Sequence, residues 1–185
     1  MTNNEQTRIV VLGLGNMLMA DDGVGLSALA RLEEEWFVPR HVSLVDGGTW
    51  GMNLLPVIED ADRLLIFDAI DRGEAPGTII RLEGSEIPRF LSQKVSPHQI
   101  DLREVLALAE LRGTLPRTMI ALGVQPARVE MSTTLSPPVQ ANLDQLVRLG
   151  ASTLQAWDVH VRQGALARRH IFPVRDHAFA ATAHA

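Results

Sequence analysis

The chain has 185 residues, enough for one ordinary domain and short for two, and 46% hydrophobic against 21% charged residues is the composition of a globular protein with a buried core. A net charge of −5, with five Phe, three Trp and no Tyr, supplies neither a basic field nor stacking platforms for nucleic acid. With no cysteine, disulfides, thiolate nucleophiles and Cys-held zinc are excluded.

The first residues are polar, and the apolar run that follows, about seven residues, is shorter than a signal-peptide core or a membrane span. The cytoplasm is the expected compartment, without membrane insertion. Residues 8–14 are β-branched or Leu almost throughout, the pattern of a strand buried on both faces. Over 23–36, Val24, Leu26, Leu29, Ala30 and Leu32 recur at helical spacing, with Glu33, Glu34 and Glu35 on a solvated face. A short strand at 42–45, a helix at 51–61 and a third strand at 64–69 complete two βαβ units, and right-handed crossovers then require a parallel sheet.

The second half is less regular. Strands are predicted at 78–82, after the turn Ala75-Pro76-Gly77, and at 118–124, with a short helix or irregular segment at 86–93. Ser96-Pro97-His98-Gln99 writes a capping box, with Ser at N-cap, Pro at N1 and Gln at N3, ahead of Leu102, Val105, Leu106 and Ala109. Ser136-Pro137 opens the last long helix in the same manner, with Val139, Leu143, Leu146, Val147, Leu154 and Trp157 on one stripe. The expected fold is a single three-layer α/β domain over 1–157, a twisted, mostly parallel sheet flanked by helices on both faces. Residues 158–185, with four of the six histidines and no amphipathic period, are expected to be a mobile tail without catalytic role.

Several apolar runs lead directly into carboxylates or Gly-rich turns: 12–16 into Asp21-Asp22-Gly23, Val45 into Asp46-Gly47-Gly48, and 65–67 into Asp68. Parallel strands would gather Asp22, Asp46 and Asp68 at one end of the sheet, where open α/β folds place their sites. A dinucleotide fingerprint is disfavoured, because its third Gly would be Leu18 and two acids follow where a pyrophosphate needs donors. Asp21 reads as the N-cap of the first helix, and Asp46 as either a site carboxylate or an Asx turn. Asp68 is the harder acid to explain structurally, since a carboxylate beside a continuous apolar strand needs a partner or a cation. His98, at N2 of its helix, feels the positive end of the dipole and is favoured as neutral imidazole, the form a metal requires. Met17, Met19, Met52 and Met131 read as gap-filling core or binding-surface residues. The chain contains no G-x-S-x-G, H-E-x-x-H or P-loop.

Taken in order, Val11-Leu12-Gly13-Leu14-Gly15-Asn16, Asp21-Asp22-Gly23-Val24-Gly25, Asp46-Gly47-Gly48-Thr49, Asp68-Ala69 and Ser96-Pro97-His98-Gln99 resemble the hydrogenase maturation endopeptidases. The resemblance implies an enzyme that removes a C-terminal extension from the large-subunit precursor of a [NiFe] hydrogenase after nickel insertion. It implies Asp22, Asp68 and His98 as catalytic and metal-contacting residues; beside them Asp46 reads as a further catalytic carboxylate, one that supports the ligands or positions water. Many members carry Glu where this chain has Asp22. The implied cofactor is Ni2+ brought by the substrate, other divalent metals being able to substitute. The implied partner is the precursor, the enzyme being a monomer when free. A nickel-sensing assembly factor that binds the same precursor without cutting it would use the same ligands.

Overall fold

The computed structural model describes residues 7–91 and 102–164, together with the backbone of 172–173. The elements run β1 (Ile9–Leu14), α1 (Val24–Glu35), β2 (Trp36–Phe37), β3 (Val42–Gly48), α2 (Leu55–Glu59) and β4 (Arg63–Ala69). They continue with β5 (Ile79–Glu83), α3 (Glu86–Leu91), α4 (Leu102–Leu111), β6 (Thr118–Val124), α5 (Pro137–Ala156), β7 (Arg162–Gln163) and β8 (Phe172–Pro173). Six strands form one sheet in the order β5-β6-β4-β1-β3-β8, parallel except for β5, which pairs antiparallel to β6.

The expected three layers are present, and strand alternation builds them. Ile9, Val11, Leu65, Phe67 and Leu122 bury one face of the sheet against Val24, Leu29 and Leu32 of α1 and Val139, Leu146 and Leu154 of α5. Val10, Leu12, Leu64, Ile66 and Ala121 bury the other against Val57 and Ile58 of α2 and Val105 and Leu106 of α4. Continuous apolar strands are what burial on both faces demands.

Glycines let α1 and α5 press onto β4. A Cβ on Gly25 would stand 2.3 Å from the carbonyl oxygen of Phe67 and 2.5 Å from that of Leu14, so only glycine allows the first turn of α1 this close to the strand ends. Gly150 of α5 likewise receives the Phe67 ring, which a Cβ there would meet at 2.3 Å.

Three expectations need correction or extension. The helix anticipated over 51–61 is a 3-10 turn, Gly51–Leu54, leading into the short α2. The second strand reaches Gly48 rather than ending at 45, because its Gly-Gly end still pairs with β1 through an irregularity between Gly13 and Leu14. Packing continues past Trp157: Val159 and Val161 are buried, β7 pairs with β2, and β8 extends the sheet beyond β3. The capping box at 96–99 lies outside the described residues, as do His170, His177 and His184 of the tail.

Candidate active site at the carboxyl ends of the strands

The register of the central strands sets the site. Gly13 of β1 stands level with Asp46 of β3 on one side and with Phe67 of β4 on the other, and Asp68 is the next residue of β4. Both acids therefore sit at the carboxyl ends of the two strands that flank β1. Alternation continues from Val42 and Leu44 to put Asp46 on the α1 and α5 side, whereas Asp68 follows Leu64 and Ile66 to the α2 and α4 side. Asp68 lines a small cavity there with Ile66, Ile70, Leu82, Ile87 and Leu102, and its Oδ1 accepts the N–H of Ala69 at 2.8 Å.

Asp22 reaches the same end by a different route. After β1 the chain turns through Gly15, whose φ of 111° is open to glycine and whose added Cβ would fall 1.8 Å from the carbonyl oxygen of Asp22. A 3-10 turn, Ala20–Gly23, then presents Asp22, whose Oδ2 accepts the N–H of Asn16 at 2.8 Å. Only two residues separate Asp22 from Gly25 and its close approach to Phe67, so the turn carrying Asp22 is held at the strand ends beside β4.

The adjacent acid behaves otherwise than its sequence suggested. Asp21 makes no side-chain cap of α1; it is fully buried and accepts four hydrogen bonds from residues more than a hundred positions away in the chain. The N–H of Ser136 donates at 2.6 Å and its hydroxyl at 2.8 Å, while the N–H groups of Ala127 and Arg128 donate at 2.9 and 3.0 Å. Burial alone pushes the Asp21 carboxyl up, but the bonds from Ser136, Arg128 and Ala127 together hold it below the ordinary carboxylate value of 3.8. Ser136 accordingly caps α5 without a side-chain cap bond, its hydroxyl being committed to Asp21.

Asp46 is partly buried, which pushes its carboxyl above 3.8; the backbone N–H of Gly48 offsets some of that rise. Its Oδ1 and the indole nitrogen of Trp50 both flank Gly48, within 3.5 and 3.3 Å of where a Cβ on that glycine would lie.

Asp22, Asp46 and Asp68 thus share one end of the sheet, as their sequence positions predict, while His98 lies outside the described residues. Leu102, four positions after His98, lines the Asp68 cavity, so α4 begins at this same end. Among the described residues no three His, Asp or Glu side chains are grouped closely enough to hold a metal ion by themselves. The donors are carboxylate oxygens, acceptors suited to a divalent cation, to a water or to a backbone N–H of a bound chain. Sequence reading missed the Asp21 web because its donors are more than a hundred residues distant; the pair Asp21-Asp22 was the only local sign that one of the two had to be buried.

Comparison with known proteins agrees with this architecture. The family model described as hydrogenase maturation protease matches residues 26–153. The chain is 39% identical over 160 residues to the hydrogenase expression/formation protein HupD of Rhodobacter capsulatus, covering 85% of this chain and 76% of that protein. It is 38% identical over 138 residues to the hydrogenase 2 maturation protease of Escherichia coli strain K12, covering 74% of this chain and 84% of that one. The solved structure of the hydrogenase maturating endopeptidase HybD from E. coli superposes with a TM-score of 0.81 at 35% identity, over 85% of this chain and 98% of the other. A carboxylate site at the strand ends of this sheet, a family match through most of the fold and relatives of this similarity lead to one conclusion: the chain belongs to the hydrogenase maturation protease family.

Proposed function

We propose that this protease is a nickel-dependent endopeptidase that removes the C-terminal extension of a [NiFe] hydrogenase large-subunit precursor after nickel insertion, acting in the cytoplasm as a monomer when free. The observation that carries the reading is the placement of Asp22 and Asp68 at one end of the sheet, on the turn after β1 and at the end of the neighbouring β4. In support, no helix among the described residues is long and apolar enough to cross a membrane.

The donor set fits an ion that arrives with its substrate. Two carboxylates and His98, in a chain without cysteine, make a modest trap for free nickel. An ion already held by thiolates of the precursor needs only the last contacts, and Asp22, Asp68 and His98 are the residues to supply them. Such an ion polarises the scissile carbonyl or lowers the pKa of an attacking water. Asp68, half-buried against the apolar wall of Ile66, Ile70 and Leu102, offers its carboxylate where an approaching cation is screened less than in open water. Asp46 ends the strand on the other side of β1 and turns to the opposite face of the sheet from Asp68, so its part is a supporting one, positioning water at the rim of the site from a carboxyl that burial makes readier to hold a proton.

This arrangement makes processing wait for nickel, because a precursor lacking the ion gains no transition-state stabilisation from those contacts. The test compares nickel-loaded and nickel-free precursor with metal-free enzyme at equal concentration. Cleavage confined to the loaded form is expected. Efficient cutting of metal-free precursor by metal-free enzyme would overturn the nickel dependence and leave carboxylate acid–base chemistry by Asp22, Asp46 or Asp68 in its place.

A further inference from the structure

We propose that the loops 16–19 and 127–135 form an apolar lip that seats the protein substrate beside Asp22. The proposal rests on the endopeptidase reading above and adds to it the surface that recognises the precursor. Among the described residues five large apolar side chains are exposed; Met17, Leu18, Val129 and Met131 all lie on these two loops, and the fifth, Leu111, ends α4. Exposed apolar residues scattered singly are ordinary, whereas their concentration on two joined loops marks an interaction surface.

The loops are neighbours by direct bonding. Ser132 donates its N–H to the Leu18 carbonyl at 2.9 Å, and Ala20 donates to the Ser132 carbonyl at 2.7 Å. Met19 and Ser132 form an isolated parallel bridge, so the two apolar stretches run side by side. The lip is also continuous with the site: Asn16, the residue before Met17, donates its N–H to Asp22 Oδ2.

Two further features identify what covers it. The second loop is anchored by the buried Asp21 carboxylate through Ala127, Arg128 and Ser136, an arrangement that holds an exposed apolar surface in fixed relation to the neighbouring Asp22. The charged side chains between its apolar residues, Arg128 and Glu130, pair with each other at 2.9 Å and leave the lip without net charge. The occupant is therefore an apolar stretch of the precursor flanking the scissile bond, since a chain whose bond reaches Asp22 from this side crosses the lip. Met17 and Met131, unbranched and polarizable, can adapt to such a partner.

The test measures binding of nickel-loaded precursor by biolayer interferometry, alongside processing kinetics, for wild type, Leu18→Ser, Met131→Ser and the control Leu111→Ser. Each lip substitution is expected to weaken binding about tenfold, the loss from leaving one such side chain unburied in the complex. KM rises in proportion, kcat stays near wild type, the loss is insensitive to salt, and Leu111→Ser binds normally. Lip variants that bind as tightly as wild type, or an equal loss in Leu111→Ser, overturn the proposal. Wild type that binds in a lip-dependent manner without cutting leaves the lip standing and overturns the endopeptidase reading; wild type that neither binds nor cuts overturns both.

Discussion

The carboxylate of Asp21 accepts both the backbone N–H and the hydroxyl of Ser136, at 2.6 and 2.8 Å, and so ties the turn after β1 to the start of α5. The two residues are 115 positions apart in the chain, and the bond closes the molecule around the turn that carries Asp22. A buried carboxylate is tolerated here because four donors meet it.

Removing that charge should cost the fold directly. Asp21→Asn keeps the shape but turns an amide NH2 toward N–H donors, and is expected to lose about 2–4 kcal/mol in urea unfolding. The pH dependence has a definite sign. A carboxyl whose folded-state pKa lies below its unfolded one contributes stability above about pH 4 and loses it as the pH falls through the folded value. The wild-type urea midpoint should fall more steeply toward acid than that of Asp21→Asn; parallel acid limbs would show the carboxylate to be unimportant.

Asp46 should show the opposite sign. Its folded-state value is raised by burial, so its contribution is present below about pH 4 and is lost as the pH climbs through the raised value. At neutral pH the ionised group opposes folding, and Asp46→Asn is expected to unfold at a slightly higher urea concentration while processing precursor more slowly by about 10²-fold or more. A variant both less stable and fully active would contradict the role given to this residue.

For the residues proposed to contact the metal the expectation concerns activity without loss of structure. Asp68→Asn and His98→Ala should each reduce processing by more than about 10²-fold with an unchanged far-ultraviolet circular dichroism spectrum. Asp22→Glu should keep substantial activity, since it retains the carboxylate and lengthens its arm by one methylene. An inactive Asp22→Glu beside an active His98→Ala would reverse the assignment.

Gly25 provides a structural test of how the site is positioned. With a Cβ forced to 2.3 Å from the Phe67 carbonyl, Gly25→Ala must displace α1 from the ends of β1 and β4. A cost of about 1–3 kcal/mol is expected, with a fall in kcat that persists at temperatures where the variant is fully folded. Gly113→Ala is the comparison: its Cβ meets open space, and only the φ of 69° penalises it. Wild-type kcat in Gly25→Ala would separate the site from the packing of α1.

Much of the layer architecture was legible in the sequence because local pattern and tertiary demand coincide. The unbroken apolar run of β4 ending in Asp68 can be satisfied only by burial on both faces with the acid at the strand end, and β1 reads the same way. Helical spacing over 24–32 likewise announces which face of α1 turns inward, since Val24, Leu29 and Leu32 are all buried. Two-residue strands such as β2 and β7 carry no period to read, and the antiparallel run of β5 depends on where its partner lies rather than on its own residues.

What the sequence by itself determined, then, is the set of buried runs and the strand ends at which Asp46 and Asp68 stand. Only the tertiary structure decided which of the adjacent acids, Asp21 or Asp22, is drawn inside, because burial of a carboxylate is settled by donors, and those for Asp21 come from Ala127, Arg128 and Ser136. It also decided that the loops exposing Met17, Leu18, Val129 and Met131 are bonded to each other. Periodicity records the burial a residue's own segment requires, whereas the company it keeps at a loop junction is set by chain more than a hundred residues away.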